Sequence, residues 1–296
     1  MKVRIGVGMG AAALADTSAF AGLVDDLEGL GFDSIWLPEV LTAATLDPLV
    51  GLAFAAAASP RLKLGTTMLL PGRNVVRLAK QLSTLDLLST GRLLVTLVPG
   101  LPRRHESDAV GVPGSKKGHL MEEMIPLLRR LWAGEPVTYA GDAGRFENVV
   151  LAPLPVQQPL EVWTGGMAPG ALARCGHLAD GWLPSACTPE EVAQARRTID
   201  EAASEAGRAI SREHFGVSIA YAARPLDAKQ TRALATLRRG VDPNQVVPVG
   251  IAGLRTMIEA FLDVGFSKFV VRPLEMPSTW RAELEALAEG VLDLQT

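Results

Sequence analysis

Leu62-Lys63-Leu64-Gly65-Thr66-Thr67-Met68-Leu69 is a short, mostly apolar run of strand character, and Asn74-Val75-Val76-Arg77-Leu78-Ala79-Lys80-Gln81-Leu82-Ser83-Thr84-Leu85 follows it closely. In the second segment Val75, Leu78, Leu82 and Leu85 fall on one helical face, and Asn74 stands where an N-cap is wanted. A strand that reads as a continuous apolar run, followed by an amphipathic helix, is the unit from which parallel α/β sheets are made. Upstream the same unit occurs twice. Val3 to Val7 precedes a helix carrying Phe20, Leu23, Val24, Leu27 and Leu30, with Asp16 or Thr17 as cap and Gly31 as stop, and Ser34 to Leu37 precedes a helix over about Asp47 to Ser59.

Downstream the rhythm continues. Arg92 to Val98 is strand four, with a Gly/Pro-rich loop and a helix near Gly118 to Trp132 after it. Residues Pro136 to Pro159 interrupt the pattern, because Val137-Thr138-Tyr139 and Val149-Val150-Leu151 flank Gly141 to Gly144 as in a hairpin. They are read as an insertion over the surface. Strand five is Leu160 to Trp163, before a short helix from Pro169, and strand six is Gly181 to Leu183. Thr188-Pro189-Glu190-Glu191 opens the next helix with a Thr cap, a proline in the first turn and a glutamate at the third position. Phe215 to Ala222 is strand seven, followed by helix from Asp227 to Phe261 with a break around Pro243 to Gly250. Lys268 to Val271 is strand eight, before a last helix over Ser278 to Leu292. Eight such units predict a (β/α)8 TIM barrel, residues 1–296 as a single domain, with a surface insertion after strand 4 and helix 4.

The bulk properties agree with an ordinary globular chain. Of 296 residues, 48% are hydrophobic and 21% charged, and the net charge of -3 provides no basic field for nucleic acid. No apolar stretch is long enough to span a bilayer, and no secretory leader pattern opens the sequence, so neither membrane nor nucleic acid is expected as a partner and the cytoplasm is the expected location. Cys175 and Cys187, twelve positions apart, make neither a metal cluster nor a redox pair, and no metal is expected.

Two glycine sites stand out. Gly6-Val7-Gly8-Met9-Gly10-Ala11 fits a GxGxxA fingerprint after a strand, but Glu39 lies farther on than the acidic partner of a dinucleotide fold should. A glycine loop giving a ligand close access at the barrel mouth, through Gly8, is the preferred reading. Trp163-Thr164-Gly165-Gly166-Met167 ends a strand and begins a helix, where consecutive N–H groups and a helix N-terminus suit a phosphate; a plain strand-to-helix turn is the alternative.

Several blocks, in order, resemble the bacterial luciferase-like monooxygenase family. They are Leu64 to Met68, Ala79-Lys80-Gln81 with Thr84 to Ser89 and Gly91-Arg92, Leu131 to Val137, Pro155 to Pro159, Val162 to Gly166 and Ala179 to Trp182, with a looser echo at Gly265 to Pro273. The resemblance implies a parallel barrel that binds a flavin-type cofactor: coenzyme F420, a deazaflavin, is favoured over FMN. It implies a hydride exchanged with a small organic substrate, in a protein that is a homodimer like many relatives. An FMN-dependent monooxygenase and a non-catalytic flavin-binding barrel are the alternatives.

The family pattern further implies a bulged third strand with a non-proline cis peptide, mapped to Thr67-Met68, behind the cofactor ring, with Thr66 beside it. It places the cofactor phosphate at Thr164, Gly165, Gly166 and Met167, and includes Gly100 after strand four. Lys117 stands where relatives have a phosphate-binding arginine. The sequence departs from the pattern at Pro38-Glu39-Val40, where relatives often have Asp-His; Glu39 is then the candidate acid or base, or a carboxylate satisfied by local backbone. Arg103-Arg104-His105-Glu106 is either a contact for an acidic ligand or a solvated loop. Arg272 closes strand eight at the mouth, with an ion pair to Glu275 as the plain alternative, and His177 and His214 are read as structural.

Overall fold

The computed structural model describes residues 1–10, 17–100, 104–238 and 240–296. Ala11, Asp16 and Arg103, singled out above, lie outside them, and the side chains of Thr17, Arg104 and His105 are likewise not described.

The first half of the chain alternates as expected, except that a short helix, α4, lies in the stretch read as a loop: β1 (Arg4–Gly8), α1 (Thr17–Leu30), β2 (Ser34–Pro38), α2 (Pro48–Ala58), β3 (Lys63–Leu69), α3 (Val75–Leu88), β4 (Leu93–Val98), α4 (Arg104–Val110) and α5 (Gly114–Trp132). The antiparallel hairpin β5 (Val137–Gly141) and β6 (Gly144–Val149) forms the insertion. Then come β7 (Val162–Thr164), α6 (Pro169–Leu178), β8 (Gly181–Trp182), α7 (Pro189–Glu205), β9 (Gly216–Tyr221), α8 (Ala228–Leu237), α9 (Pro243–Val246), α10 (Gly250–Asp263), β10 (Lys268–Pro273) and α11 (Trp280–Val291). Local chemistry sets several of these ends. Asp47 accepts from the N–H groups of Leu49 and Val50, Asn74 accepts from that of Arg77, and Thr188 and Glu191 form a reciprocal capping box.

Outside the hairpin, the eight strands are parallel in the order β8-β7-β4-β3-β2-β1-β10-β9, and bridges Trp182 to Phe215 and Ser185 to Ser218 join the two ends. The result is the closed (β/α)8 barrel. Each strand has two buried faces with different neighbours. One set, including Ile5, Ile35, Leu64, Met68 and Val95, packs against the helices in the main core. The other points into the barrel, where Trp36, Leu183 and Val270 pack with Leu94 and Trp163.

Glycines make room for those tryptophans. A Cβ on Gly65 would lie 2.1 Å from Trp36 Cδ2, and one on Gly181 would lie 2.3 Å from Trp163 Cε2. On the amino-terminal side of this layer lies a cavity of about 170 Å³, rimmed by Arg4, Lys63, Glu161 and Lys268.

One expectation is corrected here. The cis peptide bonds among the described residues are Ala152–Pro153 and Gln158–Pro159, so Thr67–Met68 is trans. Strand β3 keeps unbroken register with β4 from Leu64 to Leu69, and it also pairs with β2 as far as Thr67. A central strand laddered on both sides has no extra residue to bulge.

Candidate functional site at the carboxyl end of the barrel

Parity decides which residues reach the mouth. Along β3, Thr66 and Met68 are fully buried, while Thr67 between them is partly exposed. The Thr66 hydroxyl donates to the Leu37 carbonyl at 3.0 Å, and Met68 belongs to the helix-side core. Thr67 therefore faces the barrel interior, and the side chains of Thr66 and Met68 do not back a ligand there. Thr164 is buried on the helix side beside Cys175. Several interior-facing positions near the strand ends are small: Gly8, Thr67, Gly165 and Ala220. A Cβ on Gly8 would come within 3.0 Å of Val270 Cγ1, and one on Gly165 within 2.9 Å of the Leu183 carbonyl oxygen. These glycines keep the floor of the mouth low.

The Gly165-Gly166 turn leads directly into α6. Gly166 is exposed with φ +100°, a conformation that disfavours side-chain-bearing residues. Its carbonyl is held by the Trp182 indole N–H at 3.1 Å. Among the described residues no carbonyl accepts from the N–H groups of Gly166 or Met167 outside the helix. Ala168 at the N-cap supplies no side-chain acceptor either. The start of α6 thus presents open donors and the positive end of the helix dipole, a setting that suits a phosphate.

Lys117 approaches from α5. Its side chain is buried, Nζ donates to Ser107 Oγ at 3.1 Å, and Nζ lies 3.9 Å from where a Gly100 Cβ would stand. Gly100 itself has φ +88°. No carboxylate pairs with Lys117 among the described residues. Arg174, which sequence reading missed, bridges α6 to α5: it pairs with Glu122 at 3.2 Å, and its Nη2 passes 2.5 Å from a Cβ that Gly118 does not have. The signal was the glycine after Lys117, legible only once the two helices are known to be neighbours.

Glu39 has a bracing geometry. It pairs with Arg73 and accepts from the Leu69 N–H at 2.8 Å, while Arg73 Nε donates to the Leu69 carbonyl at 2.9 Å. The carboxylate ties the end of β2 to the loop after β3, the arrangement in which its lone pairs serve the backbone rather than a ligand. Glu106 is also buried and accepts from the N–H groups of Leu41 and Thr42. Arg272 does not pair with Glu275, whose carboxylate instead meets Arg224 at 3.9 Å and Gln230 at 2.7 Å. Burial pushes the thiols of Cys175 and Cys187 up to about 12, which leaves neither as a nucleophile at neutral pH. No group of metal-ligating side chains occurs among the described residues, and no helix there is long and apolar enough to cross a membrane.

The luciferase-like monooxygenase family model matches residues 2–283. An uncharacterised protein of Mycobacterium tuberculosis is 33% identical over 158 residues, 53% of this chain and 55% of the relative. The FMNH2-dependent dimethylsulfone monooxygenase of Pseudomonas fluorescens is 30% identical over 177 residues, 59% of this chain and 47% of that enzyme. The chain thus aligns with about half the length of these curated relatives. Among solved structures, the coenzyme F420 dependent tetrahydromethanopterin reductase of Methanopyrus kandleri superposes with a TM-score of 0.80 at 18% identity, covering 100% of both chains. That last likeness shows the barrel fold. With the family match spanning nearly the whole sequence, the chain belongs to the luciferase-like monooxygenase family.

Proposed function

We propose that the mouth binds a flavin-type cofactor, coenzyme F420 in preference to FMN, and that the protein is an oxidoreductase exchanging a hydride with a small organic substrate. The observation that carries the reading is the Gly165-Gly166 turn, whose N–H groups find no carbonyl among the described residues and whose helix is uncapped, together with the buried Lys117 ammonium near Gly100 at the end of the neighbouring strand β4. These residues fit a cofactor phosphate: backbone donors and a helix dipole supply direction, and Lys117 supplies a point charge. The low floor at Gly8 and Gly165 fits a planar ring system, which supplies the hydride chemistry once bound. Thr67, the interior-facing polar group of β3, is positioned to orient it.

The preference for F420 rests on the sequence blocks from Leu62 to Gly181, which resemble users of that coenzyme, and the F420-dependent reductase with the same barrel is consistent with it. The similarity to an FMNH2-dependent monooxygenase supports the second reading, an FMN-dependent monooxygenase. Titration of the apo-protein with each cofactor, followed by absorbance and fluorescence, tests the choice. Saturable F420 binding at lower concentration than FMN is expected; preferential FMN binding, with rapid oxygen consumption by the reduced complex, selects the monooxygenase. The protein is further read as a homodimer in the cytoplasm, without nucleic-acid or membrane partners.

A further inference from the structure

Two cations at the mouth, on opposite sides of it, have no carboxylate partner among the described residues. Lys117 reaches Gly100, at the end of β4. Arg272 belongs to β10, which is four steps from β4 in the ring of eight strands, directly across the barrel. Its stem lies over Gly8, whose Cβ would be 3.4 Å from Arg272 Cβ and 3.8 Å from Cδ. Its register partner on β9 is Ala220, which points to the same face. No hydrogen bond or ion pair engages the guanidinium among the described residues, and Glu275 is occupied elsewhere. Burial lowers the pKa of Arg272, and no carboxylate among the described residues opposes that effect.

A partly buried guanidinium with no counter-charge among the described residues has lost some of its hydration, so an anion that supplies the charge is favoured beside it. Its planar fork matches the paired oxygens of a carboxylate or phosphate. With the cofactor phosphate assigned to the turn between β7 and α6, the rim at β10, three strands away in the ring, is left for the other reactant. We propose that Arg272 anchors the substrate of this mouth, and that the substrate carries a carboxylate or phosphate group. The assignment of that anion to substrate rests on the proposed function; the anion site itself does not.

The test uses the full chain, with and without bound F420, and three probes of one shape: benzoate, phenyl phosphate and neutral benzamide, at constant ionic strength in chloride. Calorimetry is expected to show binding of at least one anionic probe and none of benzamide. Arg272→Gln is expected to lower that affinity roughly tenfold or more while leaving F420 affinity unchanged. Ala220→Asp places a carboxylate beside Arg272 and is expected to abolish probe binding without lowering the melting temperature, which keeps the test decisive should Arg272→Gln fold poorly. Absence of anion binding to the wild type, or equal binding to wild type and variants, overturns the proposal. A parallel loss of F420 affinity in Arg272→Gln also overturns it, by placing Arg272 with the cofactor. Arg272-dependent probe binding in a protein that takes up neither cofactor upholds the anion site and defeats the cofactor reading instead.

Discussion

The two ends of the barrel are built from the same eight strands, yet they treat charge and volume in opposite ways. At the amino-terminal end Arg4 and Lys63 share Asp33 at 3.3 and 3.4 Å, and Lys268 faces Glu213 at 3.8 Å. Above them Trp36 and Trp163 occupy the space that Gly65 and Gly181 leave. At the carboxyl end the interior positions include Gly8, Thr67, Gly165 and Ala220, and among the described residues no carboxylate pairs with the cations Lys117 and Arg272. Both ends hold balanced pairs, Glu39 with Arg73 among them, but Lys117 and Arg272 at the carboxyl end are left by the described residues for a ligand to balance. The contrast matches the general division of such barrels into a stabilising end and a reactive end.

The strongest way to break this contrast is through β3, whose neighbouring residues serve different regions. Met68→Ala should destabilise the protein by about 3 kcal/mol in denaturant unfolding, because the side chain is fully buried against the helices. The folded fraction should keep its cofactor affinity. A selective loss of cofactor binding would instead return Met68 to the site.

Gly65→Ala probes the tryptophan layer. Its new methyl would sit 2.1 Å from Trp36 Cδ2, so a loss of about 2 kcal/mol is expected, and adding Trp36→Leu should recover part of it. Additive losses in the double variant would show that the ring and the glycine are not in contact.

A smaller effect is expected from pH, and it should leave the carboxyl end of the barrel alone. Glu28 is held below the ordinary carboxylate value chiefly by the Ser59 hydroxyl, and Glu123 chiefly by the Tyr139 hydroxyl. Their lowered native values mean that these contributions are complete above the unfolded carboxylate range and fade as pH falls through the native values. Unfolding midpoints measured down the acid limb should therefore decline, and Tyr139→Phe should flatten part of that decline. An unchanged acid limb in the variant would remove Glu123 from the explanation.

Much of the architecture was legible because it is written in local chemistry. Asn74, Asp47 and the Thr188-Glu191 pair cap the helices that their positions suggested. The inward and outward faces were not legible in β3, because a strand buried on both sides shows no alternation of polar and apolar residues. For that reason Thr66 and Met68 were expected at the mouth along with Thr67. Lys116 and Lys117 read alike in the sequence, but Lys116 is exposed and faces Asp142 at 3.7 Å, whereas Lys117 is buried. The Glu39 pairing with Arg73 and the Arg174 bridge depend on contacts between segments far apart in the chain.

The family-like blocks have a related explanation, since several hold one another. The Asp86 carboxylate accepts from the Gln157 backbone N–H at 2.9 Å and from its amide at 2.7 Å, the Trp132 indole donates to the Ala79 carbonyl at 3.1 Å, and Asp180 accepts from the Val162 N–H at 2.8 Å. These residues identify the scaffold with precision and carry little information about substrate. The residues that distinguish the mouth, Lys117 and Arg272, stand outside the most specific blocks.

The most direct test of the account is cofactor affinity in Gly166→Asp compared with Gly166→Ala. Both variants bear the cost of a side chain at φ +100°, so their difference isolates the negative charge placed where the backbone donors meet a phosphate. F420 is expected to bind Gly166→Ala nearly as well as wild type and Gly166→Asp roughly tenfold more weakly or worse, with similar melting temperatures for the two variants. Equal affinity in Gly166→Ala and Gly166→Asp, both folded, would contradict it and remove the cofactor phosphate from this end of α6.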